Sequence, residues 1–283
     1  YRLHPGIVMI AEESTAWPGV TAPTSGGGLG FGMKWNMGWM NDTLRYLSED
    51  PVNRRWHHGE LTFSLVYAFS ENYVLPLSHD EVVHGKGALV SKMPGDHWQQ
   101  MAGLRSLFAY QWSHPGKQLI FMGQEFAQEQ EWNESYSLDW WLYDRPDHAG
   151  MAALVSRLNE LYSAHAALWN DTYTGFEWID ASDGDHNLIS YIRKSEATSG
   201  HRAQDELVCV LNFAGNPHEG YRIGLPHAGT WQEVVNTDDP QYGGSGVVNI
   251  GELVAEEIPW NGRPYSVELR VPPLGALWLA PQH

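Results

Sequence analysis

The feature that most restricts the fold is a change of pattern near residue 170. Before it, short apolar runs alternate with longer stretches of helical period. Residues 6–10 (GIVMI), 31–35, 73–77 (YVLPL) and 118–122 (QLIFM) read as strands. Helical periodicity covers 38–47, 61–70, 98–112 and 151–168. His114-Pro115-Gly116 supplies a stop signal after the third of these. Strands separated by helices imply right-handed crossovers and a parallel sheet. Four such units are half of an eight-stranded β/α barrel, a fold that carries its functional residues just after the strands' C-terminal ends. After residue 170 the runs become short and alternating: 176–179, 188–193, 207–213, 221–223, 231–235, 267–271 and 276–279. Turn pairs such as Asp183-Gly184 and Gly243-Gly244 separate them, which is the pattern of a small antiparallel β-sandwich. The expected organisation is therefore α/β over residues 1–170, as the second half of a (β/α)8 barrel (strands 5–8). An all-β domain over residues 171–283 would follow it.

Charge narrows the possible partners. The chain has 34 Asp and Glu against 17 Lys and Arg, a net charge of -17, so it lacks the basic surface that nucleic acid or an anionic membrane requires. No apolar run approaches the roughly 18 residues of a membrane span. A neutral polymer suits such a surface. The single cysteine, Cys209, sits in Leu207-Val208-Cys209-Val210-Leu211 and reads as a buried core residue in a reducing compartment.

Two neighbourhoods place polar groups directly after apolar strands. Glu12-Glu13 follow the first strand, where a carboxyl group desolvated by a buried strand would be held protonated. That is what a general acid toward a glycosidic oxygen requires, although an acidic helix start would give the same residues. His79-Asp80 follow the third strand. A His–Asp pair there can bind sugar hydroxyls while the carboxylate stabilises positive charge at the anomeric carbon. Lys34 and Glu125 end the second and fourth strands. The histidines and acids at His57, His58, His79, Asp80 and His84 follow no strong metal-ligand spacing, so no metal is expected. The run from Asp180 to Asn187 superficially suggests a calcium loop but lacks the later bidentate Glu, and reads as a hairpin turn. The 14 Trp and 13 Tyr include several in polar loops, where flat rings suit the apolar face of glucose.

At these residues the chain resembles the glycogen branching enzymes of the α-amylase superfamily. Ala11-Glu12-Glu13-Ser14-Thr15 with Trp17-Pro18-Gly19-Val20 is similar to that family's acid/base segment, and FGMKWNMGWM (31–40) to its sixth-strand segment. LPLSHDEVVHGK (75–86) and FMGQEFAQ (121–128) are similar to its seventh- and eighth-strand segments. The resemblance implies that Glu12 is the general acid/base, with Glu13 beside it as the alternative, and that Asp80 stabilises the transition state. His79, Lys34 and Trp17 are the expected substrate-binding set. It further implies a retaining double displacement that cuts an α-1,4-glucan such as amylose or glycogen and transfers the cut chain to a 6-hydroxyl, without a cofactor, in the cytoplasm.

The family's nucleophile is an Asp after strand four in an Arg-x-Asp context, and Arg2-Leu3-His4 does not supply it. The chain is therefore expected to be a fragment, inactive alone, whose partner is the N-terminal half of the same enzyme. Two alternatives remain open: another α-amylase superfamily enzyme, or a non-catalytic glucan-binding module.

Overall fold

A computed structural model describes residues 3–195 and 205–282; Arg2 lies outside them. Strands β1 (Ile10–Ala11), β2 (Met33–Trp35), β3 (Tyr73–Leu77) and β4 (Lys117–Ile120) form one sheet in sequential order, every pair parallel. Parallel neighbours need long crossovers, and helices supply the later two. Helix α1 (Met37–Ser48) starts where the Asn36 side chain accepts from Trp39 N at 2.9 Å. It buries Trp39, Met40, Thr43, Tyr46 and Leu47, one face at helical spacing. Helix α2 (His58–Thr62) gives way to a 3-10 turn over Phe63–Val66, so the helix expected over 61–70 forms only in part. Helix α3 (His97–Ser113) opens with a capping box between Asp96 and Gln99.

Every residue of α3 from Met101 to Ser113 is buried, so this helix has no solvent face over that stretch. It packs against β4 on one side and against the antiparallel sheet on the other. Helices α4 (Pro146–Ala164) and α5 (Ala166–Trp169) cover the run expected as one helix over 151–168. They divide at His165 because Asp205 accepts from His165 Nδ1 at 2.8 Å and from Ala167 N at 3.0 Å. That carboxylate caps a new helical start, a contact invisible in local periodicity.

The rest is antiparallel: β5 (Phe176–Asp180), β6 (Leu188–Ser195), β7 (Asp205–Asn212), β8 (His218–Leu225), β9 (Thr230–Asn236), β10 (Leu253–Val254), β11 (Tyr265–Val271) and β12 (Gly275–Pro281). Six of them form a sheet in the order β10-β9-β12-β7-β6-β5, and β11 pairs with β8 in a second sheet. The two sheets make a β-sandwich around Val208, Val210, Ile223, Leu269, Leu277 and their neighbours. Side chains alternate across a strand, so Leu207, Cys209 and Leu211 of β7, with Ala276 and Trp278 of β12, point the other way into the core shared with α3. The large sheet is thus covered on both faces, which is why its central strands are continuously apolar. The turn expected between Asp180 and Asn187 is the β5–β6 connection.

The first expected strand departs most from its reading. Only Ile10–Ala11 is extended, pairing with β2 alone among the described residues, and Ile7, Val8, Met9 and Ile10 are each about half exposed. A run that reads as buried has no covering layer here.

Candidate active site

The parallel sheet brings the expected site residues to one end. Glu12 and Glu13 follow β1, Lys34 lies within β2 beside Ala11, and His79-Asp80 follow β3. Because all four strands run the same way, Glu12-Glu13, His79-Asp80 and Glu125 each follow a C-terminal strand end, whereas Lys34 is level with Tyr73 at the start of β3.

Glu12 is exposed, so the burial expected for it is not present within this chain. Glu13 is tied down instead. Its carboxylate lies 2.6 Å from Lys34 Nζ and accepts from Thr15 N at 2.7 Å. The Lys34 ammonium and the Thr15 bond hold the Glu13 carboxyl at a pKa of about 2. Lys34, only 4% exposed, also donates to Thr15 O at 2.8 Å. Its ammonium is therefore held against the Glu13–Thr15 segment by one hydrogen bond and one ion pair. Trp17 is exposed and donates its backbone N–H to Thr15 Oγ1 at 3.1 Å. With Glu13, Lys34, Asp42, Phe63 and Tyr67 it lines a pocket of about 570 Å³.

The second group stands on a tight 3-10 turn, His79–Glu81. Ser78 caps it, and the buried Glu81 carboxylate accepts from Ser78 N at 2.6 Å and Ser78 Oγ at 2.9 Å. His79 Nε2 lies 3.2 Å from Asp80 Oδ1, and the imidazole leans on Phe121 with ring centres 5.9 Å apart. Asp80 keeps a half-open carboxylate, while its backbone carbonyl accepts from Lys86 Nζ at 2.6 Å.

Three acids that sequence reading passed over hold the surrounding loops. Glu81 is the capping-box acid of Ser78-x-x-Glu81, a signature that was legible. Glu71 accepts from Val20 N and Thr21 N at 2.8 and 2.7 Å and so pins the Trp17–Val20 loop. Glu131 accepts from Gly85 N and Gly87 N at 3.0 and 2.7 Å. It steadies a loop in which His84, Gly85 and Gly87 all take positive φ. The last two clasps close across 44 to 51 residues and leave no local mark in the sequence.

The arrangement offers one fixed carboxylate, one free carboxylate and a His–Asp pair on a single sheet edge. Such a set can bind sugar hydroxyls and move a proton.

Comparison with known proteins fits this geometry. The family model for the α-amylase C-terminal all-beta domain matches residues 178–282, the sandwich. The 1,4-alpha-glucan branching enzyme of Leifsonia xyli subsp. xyli is 56% identical over 99% of this chain. Those of Mycolicibacterium paratuberculosis and Thermobifida fusca are 58% and 57% identical over 100% and 99% of it. The chain spans only 37–38% of the length of these relatives. By sequence the chain matches, over nearly its whole length, the C-terminal part of 1,4-alpha-glucan branching enzymes.

Proposed function

We propose that this chain is the C-terminal portion of a glucan-branching transglycosylase. Residues 1–170 would form the second half of its (β/α)8 barrel and residues 171–283 its C-terminal domain. The observation that carries the reading is that Glu12 follows β1 and His79-Asp80 follow β3, each at the C-terminal end of a strand in a sequentially ordered parallel sheet, where β/α-barrel enzymes carry their functional residues. The half-exposed apolar run at Ile7–Ile10 supports a partner layer, which the remaining strands of the same polypeptide would provide.

In this reading the donor is an α-1,4-glucan. An Asp from the N-terminal half attacks the anomeric carbon while Glu12 protonates the leaving oxygen. Asp80 faces the positive charge that develops, and His79 holds sugar hydroxyls. Ionised Glu12 then removes the proton from an acceptor 6-hydroxyl as it displaces the Asp, leaving an α-1,6 branch and the acid restored. Glu13 is unsuited to the acid role, because a carboxyl held at about 2 carries no proton near neutral pH. Cover from the missing half would also give Glu12 the desolvation it lacks here. Without that half the chain would be inactive. A cytoplasmic setting agrees with the single, buried Cys209. No helix among the described residues is long and apolar enough to cross a membrane.

The test is amylose branching by the complete polypeptide, with Glu12→Gln and Glu13→Gln compared. Glu12→Gln should abolish formation of α-1,6 linkages, and Glu13→Gln should only reduce it. Branching that survives in Glu12→Gln refutes the assignment. Release of reducing ends without branches would point to another enzyme of the α-amylase superfamily.

A further inference from the structure

Outside the sheet edge, one cluster combines imidazole and carboxylate ligands. His97 opens α3, Glu129 lies in the loop after β4, and His148 is in the first turn of α4. Among the described residues this is the one group of three His, Cys, Asp or Glu side chains whose ligand atoms lie within 4.8 Å of one another.

The bonding of His148 shows what the cluster needs. The ring is fully buried, at 0% exposure. Its Nδ1 lies 2.8 Å from the Phe126 carbonyl oxygen and its Nε2 lies 3.3 Å from Glu129 Oε1. Asp147 Oδ2 stands 3.8 Å from the same Nε2. All three oxygens only accept. If Nδ1 donates to the carbonyl, Nε2 turns a lone pair toward two carboxylates unless a cation stands between them. Two cations can serve there, the Arg145 guanidinium and a metal ion.

The geometry points to a divalent transition-metal site, and we propose Zn²⁺ as its ion, held by His97, His148 and Glu129 with Asp147 adjacent. Ligands about 2.1 Å from a tetrahedral zinc stand about 3.4 Å from each other, and the 3.3 Å separation of His148 Nε2 from Glu129 Oε1 already has that size. The Phe126 carbonyl fixes the His148 tautomer from behind, as outer-shell acceptors do for metal-bound imidazoles. Arg145 is the competitor: it donates to Glu129 Oε1 at 2.9 Å and to Asp147 Oδ2 at 3.1 Å, and its Nη2 lies 3.2 Å from His97 Nε2, which itself lies 2.6 Å from Asp147 Oδ2. Arg145 is partly exposed and can swing into solvent when an ion enters. A bound ion would join the N-terminal turns of α3 and α4 to the loop after β4.

The experiment is calorimetric titration of ZnCl₂ alone into the untagged complete polypeptide, with melting temperature as a second readout. Neither reads branching activity, so the result stands apart from the catalytic proposal. The wild type should take up one high-affinity equivalent and melt at higher temperature with zinc. His97→Ala and Glu129→Gln, both at exposed positions, should each weaken uptake by about tenfold or more and lose the melting shift. Arg145→Gln should bind more tightly, because the competing charge is gone. Zinc uptake that is equal in wild type and both ligand variants, or absent from all, would overturn the proposal and leave the Arg145 guanidinium as the cation of this cluster.

Discussion

Replacing Lys34 with Met separates two roles for this residue. The sequence suggested contact with substrate, whereas the structure shows an ammonium committed to Glu13 at 2.6 Å and Thr15 O at 2.8 Å. Met keeps much of the buried stem and removes both contacts. The segment carrying Glu12 would then be held by the β1–β2 pairing on one side and by the Glu71 clasp on Val20 on the other, with no side-chain tie from Glu13 to β2 between them. A displacement of about 1 Å at a reacting group costs roughly 100-fold in rate, or about 2.7 kcal/mol of barrier. In the complete polypeptide, kcat for branching of amylose should therefore fall about 100-fold with KM nearly unchanged, which is the signature of a positioning role. Lys34→Arg should restore part of the rate by reaching the same two acceptors. The assay counts α-1,6 linkages on amylose after debranching, with melting temperature as a folding control. A raised KM with kcat intact, or a loss below about threefold in both, would refute the positioning argument.

Two further expectations concern stability. Arg193 is fully buried and donates to Ser113 O at 2.7 Å, to Leu168 O and Asn170 O at 3.1 Å, and to Gly175 O at 3.3 Å. Arg193→Met should cost about 3–5 kcal/mol in urea unfolding, because several buried carbonyls lose their donor at once; a cost near zero would mean that water or other donors replace it. The Glu13 ion pair should give a pH dependence of known sign. Its folded pKa of about 2 lies below the ordinary 4.5, so its contribution is complete above that range and disappears as pH falls toward 2. The stability difference between wild type and Glu13→Gln should shrink over that window, and a difference that grows on acidification would contradict the pairing.

Much of the plan was legible because it rests on local periodicity. YVLPL predicted β3 to the residue, and the alternating runs after 170 located seven of the eight later strands. The two-residue β10 was missed because Leu253-Val254 is too short to show a period. The polar residues after each apolar run also identified the sheet edge before any coordinate did. Local pattern could not report cover: GIVMI reads as buried, yet its side chains are about half exposed because burial depends on which layer lies opposite.

Partnership across the chain was hidden for the same reason. Glu12 and Glu13 are adjacent and chemically alike, and only the approach of Lys34 from β2 makes one a fixed carboxylate and leaves the other free. Asp205 splitting the helix at His165, Glu71 clasping Thr21, and Glu129 meeting His148 are likewise contacts between distant segments. The sequence by itself determined most of the elements and their order, because those follow from side-chain period and turn residues. Tertiary structure alone decided which acid is paired and which residues are covered, since both depend on neighbours that meet only once the chain has folded.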